Sequence, residues 1–237
     1  MLNIVTALKI EALPIIKKFN LKPNGEIYQN NYINLIITGQ GKIKCAINTA
    51  LLLKQYPFKT LNFGIAGSSI YEINEGFFIQ KIIDKDSKFE YYPDFFDKKS
   101  STLYTISKPG IYYELTDMEG SGFFEACYKF LSVENIILYK IVSDTPQIPI
   151  KKEKIPHLIK NHLNIIEKFL DENKRDEFED IKEALKEAKV KMHLTKTQEN
   201  QLKNILIYYK TINKKFPEFK KLKTKKEVSE FLNSLTS

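Results

Sequence analysis

Three carboxylates stand just past apolar runs that read as β-strands: Glu11 after residues 2–7, Glu119 after 113–117, and Asp144 after 136–142. An acid in that place lies at the carboxyl edge of a sheet, where open α/β sheets bind ligands. Positioned acids of this kind donate and accept protons. The fullest stretch is 113–126. Tyr113, Leu115 and Asp117 alternate there against Glu114 and Thr116, Met118-Glu119 follows, and Gly120-Ser121-Gly122 opens a helix. The glycines allow chain and ligand to come close. Each acid also has a plainer reading. Glu11 and Glu119 read as first-turn helix acids favoured by the macrodipole, and Ser143-Asp144 as a helix cap. Together they point to one site.

The elements that must position these acids follow from periodicity. Strands are expected at 2–7, 32–38, 59–65, 76–84, 103–107, 113–117 and 136–142, and helices beginning at about 11 and spanning about 42–56 and 151–170. Ile10, Leu13, Ile15 and Ile16 mark the apolar face of the first helix, with Pro14 tolerable only in its first turn. Gly39-Gln40-Gly41-Lys42 reads as a tight turn, although backbone N–H groups at such a helix entrance can also hold an anion. The interspersed strands and helices predict an α/β fold with a mixed central sheet between helical layers. An aromatic cluster, Phe89, Tyr91, Tyr92, Phe95 and Phe96, reads as a loop-packing group, a lid or a subunit contact.

Residues 1–171 form the expected α/β domain and 172–237 a C-terminal all-helical extension. A charged linker is expected at 171–176, then helices at about 177–192 and 196–214 and from 225. Thr195 to Gln198 and Thr224 to Glu227 read as capping boxes. The chain has 237 residues and a net charge of +8. Residues 172–237 carry 16 Lys and Arg against 11 Asp and Glu, which concentrates the excess in the extension. With Arg175 the single arginine, bidentate phosphate and base-edge recognition are poorly served, and nucleic acid is not expected as a partner. No run reaches the ~20 apolar residues of a membrane span, and residues 1–8 read as a strand rather than a signal peptide. Cys45 and Cys127 read as buried reduced thiols of a cytoplasmic protein. His157, His162 and His193 lack ligand spacing, so no metal and no cofactor are expected.

Asp117-Met118-Glu119-Gly120, followed by Lys140-Ile141-Val142-Ser143-Asp144, resembles the paired motifs of the nucleoside phosphorylase and nucleosidase superfamily, in particular methylthioadenosine/S-adenosylhomocysteine nucleosidases and futalosine hydrolases. Residues 4–11, Gly39-Gln40-Gly41-Lys42 and Asn62-Phe63-Gly64-Ile65-Ala66-Gly67 fit in the same order, so the resemblance covers roughly the first 170 residues, one domain-sized unit. It implies a nucleoside phosphorylase-like fold, a homodimer and cleavage of the N-glycosidic bond of a purine nucleoside. In that scheme Asp144 protonates the leaving base, with Ser143 orienting its carboxyl. Glu119 accepts from ribose hydroxyls, Met118 packs on the sugar, Ala66 and Gly67 line the substrate, and Glu11 activates water.

Glu11 and an arginine-free core favour hydrolysis over phosphorolysis, since phosphorylases hold phosphate largely with arginine forks. Lys42 and Lys140 supply only point charges. The chain departs from the family at Ile65, at Lys140 in place of an arginine, and in a short segment between Asp84 and Glu114. Two alternatives to a hydrolase remain open: a phosphorylase, and a non-catalytic scaffold with the helical extension as its partner surface.

Overall fold

The computed structural model describes residues 1–94, 99–212, 214–222 and 224–235, with backbone alone at 172–179. The chain divides into two compact units, Met1–Leu170 and Asp171–Ser237. No described helix is long and apolar enough to cross a membrane.

In the first unit, β1 (Leu2–Thr6), α1 (Lys9–Lys18), β2 (Lys22–Asn24), β3 (Ile27–Gln29), β4 (Ile33–Ile37), α2 (Lys42–Gln55) and β5 (Thr60–Gly67) come first. They are followed by β6 (Gly76–Asp84), β7 (Glu90–Tyr91), β8 (Ser100–Thr105), β9 (Leu115–Asp117), α3 (Gly120–Tyr128), β10 (Ile136–Asp144) and α4 (Ile155–Asn161). Period-two alternation assigns the strand residues to two cores. Leu2, Ile4, Leu61, Phe63, Ile137, Tyr139 and Ile141 pack with Ala12 and Ile15 of α1 and Leu158 and Ile159 of α4. Val5, Ile36, Ile136, Leu138 and Val142 pack on the other side with Cys45 and Leu52 of α2 and Phe123 and Cys127 of α3. Helices thus cover both faces of a mixed sheet, as the alternation of elements predicts. Both cysteines are buried and free.

The sheet also closes on itself. β5 pairs in parallel with β1 and β10, β10 pairs antiparallel with β6, β6 and β9 each pair in parallel with β8, and β9 returns antiparallel to β5 at Gly67. Five strands therefore form a ring, from which β1, β4, β3 and β2 extend as an open wing.

α5 (Leu163–Lys191) begins in the first unit and continues through the expected linker at 171–176, whose backbone is helical. Asp, Glu and Lys there are compatible with a solvated helix and supply no breaker. The break falls instead at His162, which ends α4 with φ −113° and ψ 10°. Its ring nitrogens lie 2.8 Å from the Tyr139 hydroxyl and 3.0 Å from the Asn74 carbonyl. Two smaller expectations also fail. Pro14 sits beyond the first turn of α1, and Leu13 is exposed.

The second unit contains the end of α5, α6 (Lys196–Thr211) and α7 (Lys225–Ser234). Thr195 and Thr224 form both expected capping boxes. Ile181, Ala188, Leu202, Ile205, Leu206, Tyr209, Val228 and Leu232 bury one another in a core of their own.

The entrances of α2 and α3 touch through backbone. A Cβ on Gly122 would stand 2.1 Å from the Lys42 carbonyl oxygen, so the close approach read from this glycine is to the chain itself. Gly122→Ala is expected to lower stability by about 1–3 kcal/mol or more through overpacking, measured by denaturant unfolding.

Candidate active site

β1, β4, β5 and β10 run parallel, so their carboxyl ends share one edge. Glu11 follows β1 and Asp144 ends β10 there, as expected. Glu119 arrives differently. Its strand β9 is antiparallel to β5 and meets it only at the Thr116–Gly67 pair, so Glu119 enters from the opposite direction at the ring closure. Gly67 also pairs with Asp144. Thr116, Gly67 and Asp144 therefore stand in one row across three strands, each step about 4.8 Å.

Glu11 is buried, and each of its oxygens accepts one backbone N–H. Its Oε2 accepts from the Leu8 N–H at 2.7 Å and its Oε1 from the Ile65 N–H at 3.0 Å. One oxygen caps its own helix, and the other joins that helix to β5. Burial raises the carboxyl pKa above the usual range, against the two N–H donors and Lys140.

Lys140, 2% exposed, lies on the α2–α3 face of β10. Its Nζ is 2.8 Å from Asp117 Oδ2. Burial alone would lower the ammonium, but Asp117, Glu119 and Glu11 together hold its pKa above the ordinary value. Asp117 also accepts from Thr105 Oγ1 at 2.9 Å and from the Gly120 N–H at 2.9 Å. The acid that serves the entrance of α3 is therefore Asp117. Glu119, the residue at the N-cap, makes no capping bond. Its Oε1 accepts from the Gly41 N–H at 2.8 Å. Burial first, then the negative charge of Asp117, push its pKa up to about 7 against Lys140 and Gly41.

Asp144 ends a strand and caps no helix. Ser143 Oγ lies within hydrogen-bond distance of both Asp144 Oδ1 and the Ala66 carbonyl. Met118 Sδ is 3.0 Å from Gln40 Nε2, and Ala66 pairs with Val142. The charges of Glu11, Lys140, Asp117 and Glu119 meet in one cluster, while Asp144, Ser143, Ala66 and Gly67 stand at the strand ends beside it.

Lys42 is held apart from this cluster. It bonds both oxygens of Asp84, at 3.0 and 2.9 Å, and Asp86 Oδ2 at 2.6 Å. Asp84 Oδ2 also accepts from Ser121 Oγ at 2.6 Å. Burial would raise the Asp84 carboxyl, but Ser121, Ser87, Lys42 and Asp86 bring its pKa down to about 2. The anion at the glycine turn is thus the protein's own. Lys42 meets Asp84 and Asp86, and the Gly41 N–H meets Glu119.

No protein-family model matches the chain, and no curated protein matches it in sequence. Solved structures do match. The 5′-methylthioadenosine nucleosidase of Arabidopsis thaliana superposes with a TM-score of 0.61 at 14% identity, over 71% of this chain and 95% of that one. The 5′-methylthioadenosine/S-adenosylhomocysteine nucleosidase of Helicobacter pylori gives 0.58 at 15%, over 72% and 97%. A futalosine hydrolase mutant of Helicobacter pylori gives 0.58 at 13%, over 72% and 98%. This chain has the nucleosidase fold. The matched share corresponds in size to the Met1–Leu170 unit.

Within the nucleosidase fold, sequence reasoning passed over three features. Asp84 ends an apolar strand just as the chosen acids do, and the same rule would have found it. Asp117 is read as a strand residue and as part of the family motif, although an acid three residues before a helix glycine is also a capping signal. Tyr112, which donates to Asp144 Oδ2 at 2.8 Å, gave no signal. Of the aromatic cluster, Tyr91 packs on Phe124 at 5.3 Å, Phe89 and Tyr92 are exposed, and Phe95 and Phe96 lie outside the described residues.

The raised pKa of Glu119 has a defined effect on stability. Folding favours its protonated form, so the associated stability is present below pH 4.5 and lost as pH rises through about 7. Glu11 acts with the same sign. Lys140 is raised from 10.5 and titrates outside this window. Unfolding free energies from pH 4.5 to 8 are expected to fall less steeply in Glu119→Gln than in the wild type. Parallel curves would contradict the assignment.

Proposed function

We propose that the α/β unit hydrolyses the N-glycosidic bond of a purine nucleoside. The observation that carries this reading is the buried Lys140–Asp117 pair at 2.8 Å, with Glu11 and Glu119 held near it on backbone N–H groups. Burial and the charge of Asp117 raise the Glu119 carboxyl to about 7, so its ionised form is short of counter-charge. A sugar that develops positive charge as its base departs supplies that charge. Asp144, at the end of the strand that carries Lys140, is the proton donor in this reading. Its proton goes to a ring nitrogen of the base, which leaves with the electron pair of the broken C–N bond. Glu11 takes a proton from the attacking water, whose oxygen bonds to the anomeric carbon. Glu119 accepts from ribose hydroxyls, Met118 packs on the sugar, and Ser143, Ala66 and Gly67 line the approach.

Water is preferred to phosphate because the cationic and N–H donors that a phosphate would need are engaged. Lys42 is held by Asp84 and Asp86, the Gly41 N–H by Glu119, and Lys140 by Asp117. A phosphate would have to displace carboxylates that already satisfy these groups. As for the substrate, a mutant of the Helicobacter pylori nucleosidase holds 5′-methylthioadenosine in its active site, which makes that nucleoside the first to test.

Asp144→Asn keeps the side-chain shape and removes the acid. Release of free base should fall by at least about 100-fold with the fold intact, and wild-type turnover should not require phosphate. Phosphate-dependent formation of ribose 1-phosphate would reverse the assignment to a phosphorylase. A wild type that releases no base from any purine nucleoside would favour the scaffold.

We further propose that the unit acts as a cytoplasmic homodimer. Ile43, Ile47 and Leu51 are 72%, 56% and 47% exposed along α2, at the i, i+4, i+8 spacing that forms one stripe. Light scattering is expected to give a dimer for the wild type and a monomer for Ile47→Asp; a monomeric wild type would refute the dimer.

A further inference from the structure

Tyr112 lies between β8 and β9 and has no part in the chemistry above. Its phenol donates to Asp144 Oδ2 at 2.8 Å, while Ser143 Oγ is bonded to Oδ1. Both oxygens of the acid are therefore occupied. The ring lies against Gly67, where a Cβ would stand 2.8 Å from Tyr112 Cε1 and 3.0 Å from Cδ1. Only a residue without a side chain leaves room for it. Burial first, and then the bond to Asp144, raise the phenol above its ordinary pKa, so it remains a donor throughout the neutral range.

The chain holds Tyr112 on one side only. The Tyr113 carbonyl accepts from the N–H and the hydroxyl of Ser69, both at 2.8 Å, and the Glu114 carbonyl accepts from Ser68 Oγ at 2.7 Å. The Tyr113 ring stacks on Tyr104 at 4.6 Å, with Lys85 Nζ 4.7 Å from its centre. On the other side, residues 107–111 form no helix or strand, Gly110 has φ +94°, and Ile111 is 52% exposed. A side chain between a fixed stem and a solvent-exposed loop can turn without disturbing the core.

We propose that Tyr112 is a substrate-displaced cap on Asp144. The phenol and the incoming base compete for the same carboxyl oxygen and for the same space over Gly67. The proposal rests on the reading of Asp144 as the acid that meets the base. While the site is empty, Tyr112 satisfies Oδ2. A base that takes its place restores the lost bond at that oxygen, because the ring nitrogen to be protonated then meets the acid proton of Asp144. The cap thus lowers the apparent affinity of the empty site for any base.

Tyr112→Phe tests this by removing the hydroxyl and keeping the ring. The apparent affinity of a site that is mostly capped is reduced by the uncapped fraction. Free adenine, titrated by calorimetry, should therefore bind Tyr112→Phe at least about five-fold more tightly than wild type. The kcat/KM for 5′-methylthioadenosine should rise through a lower KM. A structural lesion would not produce a gain in affinity, and matching circular dichroism spectra would confirm the fold. Equal adenine affinity in the two proteins would overturn the cap alone, as would a lower kcat/KM in the variant, which would mean that the phenol assists the base. Absence of both adenine binding and nucleoside cleavage in wild type and variant alike would overturn the nucleosidase reading, and the cap with it.

Discussion

Lys140 and Asp117 form an ion pair at 2.8 Å, with side chains 2% and 1% exposed, at the place where the strand ring closes. Lys140 interrupts the stripe of Ile136, Leu138 and Val142 on β10, where an apolar side chain would otherwise pack. Bare burial of either charge would be prohibitive. Each is tolerable only through the other and through the further bonds of Asp117 to Thr105 and Gly120. Removing one partner of such a pair typically costs about 3–5 kcal/mol, whereas replacing both with apolar residues is often neutral or better. The pair is therefore weak evidence of a purpose in stability. Its position is informative for another reason. It joins β10 to the short strand β9, and it sets the charge that Glu119 and Glu11 experience.

The second constraint concerns hydrogen-bond donors. A glycine turn that enters a helix offers N–H groups and a partial positive charge, and a lysine follows at once. In this chain two carboxylates of β6 and its turn fill that place, and Glu119, at the N-cap of α3, is the third. Lys42 thereby ties the entrance of α2 to the end of β6, and Asp84 carries the tie on to Ser121 at the start of α3. The Gly41–Glu119 bond is held between helices fixed in this way. Any account of Glu119 on a ribose therefore includes Lys42 and Asp84 as groups that position it.

Much of the first unit is legible in sequence because strands buried on both faces read as near-continuous apolar runs. β6, with Phe77, Phe78, Ile79 and Ile82 buried, runs over the residues expected of it. Direction is the part that sequence conceals. Residues 113–117 and 136–142 look alike as strands ending in acids, yet one is antiparallel to β5 and the other parallel. Only the ring closure brings Glu119 to the others. Helix continuity is similarly obscure. Charged residues at 171–176 read equally as a linker or as a solvated helix, and nothing local separates the two. Lys140 was visible as a departure from the family pattern, but its partner Asp117 lies 23 positions away, and pairs of that kind arise only from packing. Tyr112 could be found only once Gly67 was seen to leave space for it.

Under the proposed hydrolysis, the charge count of the cluster bears on rate as well as on folding. Glu119 is raised from 4.5 to about 7, which corresponds to a penalty on its ionised form on the order of 3 kcal/mol. The penalty exists because one ammonium is shared among several carboxylates out of water. A neutral nucleoside in its ground state does little to relieve it. A sugar that gains positive charge as the glycosidic bond stretches relieves it directly, because it adds the missing counter-charge next to the penalised carboxylate. The relief is therefore greater at the transition state than in the bound substrate, and only such a difference accelerates chemistry. The same accounting gives no benefit to a phosphate nucleophile, which would add negative charge to a cluster already short of positive charge.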